Sequence, residues 1–158
     1  MFKVSVLFEN YGPYHFSRLG AFHKICGSLN WEAVGIELAR KQNKYEWAAD
    51  PDSYSIDLLS ISEDRPLEEI HSLTLIRKFF STLNTLNPDV IAIAGYSHPG
   101  MLAALVWSLW NRKSTILMSA SKEDDAPRSF RTEYIKSLLL KVFNAALVGG
   151  QPQKRYFL

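Results

Sequence analysis

Two short runs of the chain are apolar at every position, and they constrain the fold more than any other feature of the sequence. Val90–Ala94 and Ala145–Val148 contain only Val, Ile, Leu and Ala. A strand with one face in water alternates apolar and polar residues, whereas a continuous apolar run indicates a strand covered on both faces. The two runs therefore predict a parallel sheet with helices packed on both sides, which places the chain in the α/β class.

Further strands and helices alternate along the chain. The predicted strands are Phe2–Phe8, Trp31–Glu37, Tyr54–Leu59, Val90–Ala94, Thr115–Met118 and Ala145–Val148. The predicted helices are Tyr14–Gly27, Leu67–Leu86, Met101–Trp110 and Phe130–Phe143, and Gln151 begins another. Arg40–Pro51 is polar and is predicted to be a loop or a short helix. This order predicts a Rossmann-like, doubly wound and mostly parallel sheet of about six strands with helices on both faces. If the strand order is 3-2-1-4-5-6, the ligand crevice lies between the first and fourth strands.

Helical spacing predicts which side chains face the sheet. In the helix after Pro66 these are Ile70, Leu73, Ile76, Phe80 and Leu83. In the Phe130–Phe143 helix they are Tyr134, Ile135, Leu138, Leu139 and Val142. Trp107 and Trp110 are interpreted as core residues, with an anchor for a second domain as the alternative.

Composition excludes several classes of protein. The 158 residues suit one domain, and 47% apolar with 22% charged residues is ordinary for a folded globular protein. The net charge of +2 gives no reason to expect nucleic acid as a partner. Cys26 is the one cysteine, which excludes an internal disulfide framework and a cysteine-rich zinc site. It fits a reducing compartment, so we expect a cytoplasmic protein.

One stretch has the length of a membrane span. Val90–Trp110 contains no Asp, Glu, Lys or Arg, and a span needs about 20 apolar residues. The turn-forming segment Gly95–Gly100 lies in its middle, so we predict a buried strand, a loop and a buried helix instead. No transmembrane segment is expected, and contact with a membrane surface stays open. The chain starts without signal-peptide features and ends inside a predicted helix. We therefore expect residues 1–158 to be one Rossmann-like domain, the amino-terminal half of a longer two-domain enzyme.

Ligands of open α/β sheets bind beyond the carboxyl ends of the strands, where the strand order reverses. Three predicted loops meet there, after the first, fourth and fifth strands. The candidate substrate-binding residues on them are Glu9, Gly12, Tyr14, His15, Tyr96, Ser97, His98, Ser119, Ser121 and Arg128. Gly12 allows close approach of a ligand to a helix N-terminus, or only a tight turn. His15 and His98 are candidate acid–base groups, although each could instead cap its helix.

Several known sites are absent from the sequence. It contains no G-x-G-x-x-G dinucleotide motif, no P-loop and no G-x-S-x-G nucleophile elbow. Glu123–Asp125 is flanked by Lys122 and Arg128 and is interpreted as a solvated loop, not a metal site. His23 and His71 lie within predicted helices and are interpreted as structural. No metal and no resident cofactor are expected.

Four segments of the sequence, in their order and spacing, resemble the amino-terminal half of GT-B glycosyltransferases of the retaining group 1, or family 4. The first is the apolar strand that ends at Glu9 together with Gly12–His15. The others are Pro88–Tyr96, Leu117–Arg128 and Asn144–Gly150. The resemblance covers most of the chain.

The resemblance implies a function for the chain. It implies that this half binds the sugar acceptor, which is a glycan, a lipid or a small molecule. A carboxyl-terminal half, with a Glu-x7-Glu motif, would bind the nucleotide-sugar, the co-substrate of the full enzyme. Hexosyl transfer would then occur between the halves without a metal, and this half alone would be inactive.

The sequence also departs from the family pattern. Gly12 is followed by Pro13 where many members have Gly-Gly, and Ser119–Ser121 stands where many have His. The catalytic residue is therefore not assigned.

Two other classes stay open. A stand-alone flavodoxin-like or regulatory α/β binding module is the alternative, although the residues after the first strand fit neither well. A small hydrolase or epimerase ranks last, because the sequence lacks a nucleophile elbow and a dinucleotide fingerprint.

Overall fold

Six parallel strands form one twisted sheet in the order β3-β2-β1-β4-β5-β6. The computed structural model describes residues 1–43, 56–119 and 130–157. The strands are β1 (Phe2–Phe8), β2 (Trp31–Glu37), β3 (Leu58–Ser60), β4 (Val90–Ala94), β5 (Ser114–Ser119) and β6 (Ala145–Val148). The helices are α1 (Pro13–Ser28), α2 (Ser72–Leu86), α3 (Pro99–Trp110), α4 (Phe130–Leu140) and α5 (Gln151–Phe157). The predicted fold class is confirmed, and the observed strand order is the one on which the predicted position of the crevice depends.

Side chains of β1 alternate between two apolar layers. Val6 and Phe8 pack with α1, which contributes Phe16 and Leu19. Leu7 points to the opposite face and belongs to the larger core formed with α2 and α3. Since apolar side chains project from both faces of the strand into these layers, β1 is covered on both sides, as predicted for the sheet.

The larger core corrects two predictions for α2. Its buried side chains are Leu75, Phe79 and Leu83, whereas Leu73, predicted to face the sheet, is exposed. The helix also begins later than predicted, because Leu67–Glu69 forms a separate 3₁₀ turn. The Leu67 amide donates to the Lys41 carbonyl at 3.0 Å. This long-range bond holds the turn against the segment after β2 instead of in line with α2.

The edge strand β6 is less covered than its sequence predicts. Ala145, Ala146 and Leu147 are exposed. The predicted apolar face of α4 is only partly buried: Leu139 and Val142 pack against the core, and Tyr134, Ile135 and Leu138 are exposed. Within the described ranges β6 lies at the edge of the sheet and pairs with β5.

The uncharged stretch 90–110 forms strand β4, a loop and helix α3, as predicted. Within the described ranges no helix has both the length and the apolar character of a membrane span. The two tryptophans of α3 differ, because Trp107 is 2% exposed and Trp110 is 84% exposed. Trp107 is a core residue as predicted, and the prediction of a core position for Trp110 is wrong. The helix turns its last residue away from the sheet.

Gly35 of β2 marks a tight contact between the sheet and α1. A methyl group added there would lie 2.5 Å from Leu19 Cδ2, 2.9 Å from Leu58 Cδ1 and 3.2 Å from the Tyr11 hydroxyl. We expect Gly35→Ala to lower the free energy of unfolding by about 1–3 kcal/mol, as overpacking does in cores. Urea denaturation followed by circular dichroism measures this.

Gly20 of α1 supplies the matched control for Gly35→Ala. A methyl group at Gly20 would have its nearest neighbour, Ile56 Cγ2, at 3.7 Å, which is ordinary contact. Gly20→Ala should therefore raise the free energy of unfolding by about 0.5–1 kcal/mol through helix propensity. Equal effects of the two substitutions would contradict the packing at Gly35.

Candidate functional site

The predicted site loops meet at the carboxyl edge of the sheet. Leu7 of β1 pairs with Ile93 of β4, and Ala94 pairs with Met118 of β5. The loops after β1 and β4 and the end of β5 therefore lie side by side, where the strand order reverses between β1 and β4. Ser119 is the last residue of β5 and is half-buried. Of the predicted site residues, Ser121 and Arg128 lie outside the described residues, as does Glu123–Asp125.

The loop between β1 and α1 is tied to the chain that follows β2. The Glu9 carbonyl accepts from the Leu38 amide at 3.1 Å and from the Ala39 amide at 3.2 Å. Asn10 Nδ2 donates to the carbonyls of Ala39 and Arg40 at 3.1 and 2.7 Å. These bonds join residues distant in sequence and hold the start of the loop against the chain after β2.

Tyr11 fills the inside of this loop. Its side chain is buried, and its hydroxyl donates to the Val6 carbonyl at 2.7 Å. Burial raises the pKa of Tyr11 well above its ordinary value, and the Glu37 carboxylate raises it further. Tyr11 is therefore a neutral hydrogen-bond donor and a packing residue of the loop.

Gly12 is the N-cap of α1. Its φ of −85° and ψ of 171° are extended values that any residue adopts, so the turn does not require glycine. Its carbonyl accepts from the amides of His15 and Phe16 at 2.9 and 3.2 Å. The predicted role of Gly12 in approaching a ligand stays a prediction.

His15 closes the first turn of α1. Its Nδ1 accepts from the Gly12 amide at 3.4 Å, and its ring stacks on Phe8 with the centroids 4.1 Å apart. Burial lowers the pKa of His15, the Arg18 charge lowers it further, and a hydrogen bond to the Asn10 backbone opposes the shift. Tyr14 next to it is exposed and lies beneath the Arg18 guanidinium, 4.1 Å from the ring centroid.

The lowered pKa of His15 gives a pH dependence of stability. As the pH falls below 6.5, the ordinary value, the unfolded chain takes up a proton before the folded chain does. The stability that His15 contributes is therefore complete above that pH and is lost as the pH falls toward the folded pKa. We expect His15→Gln to reduce the fall in melting temperature between about pH 7.5 and about pH 5.5.

Glutamine suits this test because its side-chain oxygen can still accept from the Gly12 amide without titrating. The difference between the two proteins at about pH 8 gives the cost of the substitution itself. An unchanged pH dependence would show that His15 is not held in its neutral form.

The loop between β4 and α3 contains Tyr96 and Ser97 and ends at His98. Gly95 has a φ of +84°, in the left-handed region that favours glycine, and its amide donates to the Met118 carbonyl at 3.0 Å. His98 is the N-cap of α3, and its Nδ1 accepts from the Gly100 amide at 3.0 Å. This capping bond realises one of the two roles predicted for His98. Ser97 is exposed, and Tyr96 is half-buried.

Leu38 brings the two loops together. A methyl group at Gly100 would lie 2.6 Å from Leu38 Cδ1, so the start of α3 packs directly on the residue that follows β2. The Leu38 amide meanwhile binds the Glu9 carbonyl. The structure therefore joins the loops carrying His15 and His98 through the end of β2.

The sequence interpretation missed a polar cluster at this edge, formed by Glu37, Arg40 and Ser60. Glu37 Oε1 accepts from Arg40 Nε and from Ser60 Oγ, each at 2.5 Å, and Arg40 Nη2 donates to Ser60 Oγ at 2.8 Å. The available signal was a carboxylate that directly follows the apolar run Ala33–Ile36, three residues before an arginine.

The other two histidines lie apart from this cluster. His23 is within α1 and contacts the Ala33 carbonyl, whereas His71 precedes α2 as its N-cap instead of lying inside it. Among the described residues no three His, Cys, Asp or Glu side chains are grouped to hold a metal ion.

No protein-family model and no curated protein sequence matches the chain. Solved structures do resemble it. A UDP-N-acetylglucosamine 2-epimerase matches with a TM-score of 0.65 at 10% identity, over 99% of this chain and 44% of that one. A co-structure of Staphylococcus aureus MnaA with UDP matches with a TM-score of 0.63 at 14% identity, over 99% and 40%. MurG of Acinetobacter baumannii matches with a TM-score of 0.54 at 13% identity, over 96% and 42%.

These similarities define the class of fold. The chain shares a Rossmann-like α/β fold with one part of each of these structures. It spans about two-fifths of the length of the solved structures it matches.

Proposed function

We propose that the chain is the acceptor-binding half of a GT-B glycosyltransferase, of the retaining group that its motifs resemble. A carboxyl-terminal half binds the nucleotide-sugar, and a hexosyl group is transferred to the acceptor in the cleft between the halves. No metal and no resident cofactor take part. The chain is inactive without its partner half.

One observation carries this proposal: the loops after β1 and β4 are held together where the strand order reverses. Glu9 and Gly100 both contact Leu38, so the two loops form one rim. Open α/β sheets bind ligands at this point. The fold supports the proposal further, because each matched structure is more than twice as long as the matched part.

In this proposal the acceptor lies against the two loops and the end of β5. Tyr14 and Ser97 are exposed on the rim and available for hydrogen bonds to acceptor hydroxyls. His15 and His98 are the candidates for proton transfer. In the free chain His98 Nδ1 accepts from the Gly100 amide, which leaves its Nε2 as the atom to face a ligand. His15 Nδ1 accepts from the Gly12 amide, and the ring also bonds to the Asn10 backbone.

A UDP-sugar epimerase is the second candidate. It is favoured by the match to a UDP-N-acetylglucosamine 2-epimerase, which has a higher TM-score than the match to MurG. An epimerase needs no acceptor, so the two functions differ in a measurable way.

The test uses the product of the complete open reading frame. It is incubated with UDP-, GDP- and ADP-sugars, with and without a panel of glycan, lipid and small-molecule acceptors. Nucleotide release and sugar products are measured by mass spectrometry and NMR. Acceptor-dependent nucleotide release with a glycosylated product supports the glycosyltransferase. An isomerised nucleotide-sugar without acceptor supports the epimerase, and turnover of none of the sugars contradicts both.

Histidine variants test the site itself. His15→Ala and His98→Ala should lower turnover at least tenfold while the protein stays folded, which is within the range for loss of an acid–base group. His23→Ala is the control, because this residue lies along α1 away from the carboxyl edge. Unchanged kinetics in both site variants would remove these histidines from the site.

A further inference from the structure

Glu37 is the one charged side chain that is fully buried in the described part of the chain. Taking a carboxylate out of water is costly unless charges and hydrogen bonds compensate it. Glu37 has both: Arg40 Nε and Ser60 Oγ donate to Oε1, and the Tyr11 amide donates to Oε2 at 3.0 Å. The carboxyl edge of the sheet therefore contains a buried carboxylate with hydrogen-bond donors to both of its oxygens.

The three donors come from three different segments. Tyr11 belongs to the loop before α1, Arg40 follows β2, and Ser60 ends β3. Glu37 therefore connects the carboxyl ends of three neighbouring strands at one point. Among these segments, the loop before α1 depends most on Glu37, because Tyr11 directly precedes Gly12, the N-cap of α1.

Only a carboxylate can satisfy all three donors. A glutamine at position 37 would keep one acceptor oxygen and would present N–H donors to the others, which leaves the Tyr11 amide or the Arg40 and Ser60 donors unpaired. A buried donor left without a partner is expensive, so the loop would move to find water.

We propose that Glu37, supported by Arg40 and Ser60, is a positioning residue that fixes the loop between β1 and α1 for acceptor binding. Glu37 does not touch the acceptor, because it is fully buried. It acts through the Tyr11 amide, which sets the start of α1 and with it the placement of His15. The acceptor-binding role of the loop rests on the proposed function. The positioning of the loop by Glu37 does not depend on that function.

The experiment compares Glu37→Gln with Glu32→Gln in the complete gene product. Glu32 forms a half-buried pair with Lys3 at 3.1 Å, near the opposite end of the sheet. Two quantities are measured: hydrogen exchange of the Tyr11 amide, and KM and kcat for acceptor and nucleotide-sugar separately. In Glu37→Gln we expect Tyr11 exchange to rise about tenfold or more, the scale of a lost hydrogen bond to a charged group. We also expect the acceptor KM to rise severalfold with little change in the nucleotide-sugar KM, and Glu32→Gln to change none of these.

Ser60 gives a second test that stays informative if Glu37→Gln fails to fold. Ser60→Ala removes one donor to Glu37 and should raise Tyr11 exchange and the acceptor KM in the same direction. Ser60→Thr keeps the hydroxyl and should restore both. A merely structural role would not give the separation between the two KM values.

The outcomes separate the two claims. Unchanged Tyr11 exchange in the Glu37 and Ser60 variants overturns the positioning. Faster exchange with an unchanged acceptor KM overturns the link to the site. If the wild-type protein turns over no nucleotide-sugar, the proposed function fails, and Tyr11 exchange alone then decides whether Glu37 positions the loop.

Discussion

Trp107→Ala is expected to lower the free energy of unfolding by about 3–5 kcal/mol, the usual cost of truncating a buried tryptophan. Trp107 is 2% exposed and lies in the core that joins α2 and α3 to the sheet. Its Nε1 donates to Asn84 Oδ1 at 2.7 Å, so the substitution removes packing and the polar link to α2 together. A typical domain is stable by about 5–15 kcal/mol, so the variant should be close to unfolding.

Trp110 is the matched control for this loss. It lies on the same helix and is 84% exposed. Trp110→Ala should change the free energy of unfolding by less than about 0.5 kcal/mol, as surface substitutions do. Urea denaturation followed by far-UV circular dichroism compares the two without depending on tryptophan fluorescence. Equal losses would mean that the orientation of α3 is wrong.

Arg40→Met is expected to lower the free energy of unfolding by about 3 kcal/mol. Arg40 is the cation beside Glu37, whose side chain is 0% exposed. Removing one partner of a buried pair leaves an uncompensated charge and costs ~3–5 kcal/mol. The lower end applies because the Arg40 side chain is 28% exposed, so water partly replaces it.

Lys3→Met is the control for Arg40→Met. Lys3 is 24% exposed, similar to Arg40, but its partner Glu32 is 28% exposed instead of buried. Such a pair contributes only about 0–1 kcal/mol. The double variant Glu37→Gln/Arg40→Met should lose less than the sum of the single losses, because the two residues are coupled. A loss in Arg40→Met no larger than that in Lys3→Met would contradict the burial of Glu37.

The parallel, covered character of the sheet was predictable because a central parallel strand is apolar at nearly every position. Val90–Ala94 is apolar throughout, and the structure places it between β1 and β5. The sparse cover of Ala145–Val148 was not predictable, because a short run of small apolar residues is the same at the edge and in the middle. The start of α2 was misplaced for a related reason. Leu67 bonds to Lys41, a residue distant in sequence that local helix signals do not reveal.

The proximity of the candidate-site loops was predictable, and the polar contacts that support them were not. The loops containing His15 and His98 follow from the strand order alone. Glu37 and its partners depend on pairings across the chain, since Tyr11 and Ser60 are far from it in sequence. A charged residue directly after an apolar run in a strand is the signal that sequence reasoning should weigh in other proteins of this fold.

We propose that residues 1–158 form one half of a two-domain nucleotide-sugar enzyme. The gene sequence beyond the codon for Leu158 tests this proposal most directly. We expect the reading frame to continue for ~150–200 residues, the length of a further domain. We also expect this part to read as a second α/β domain with a Glu-x7-Glu pattern, as the family resemblance implies. A stop codon directly after Leu158 would contradict a single two-domain polypeptide.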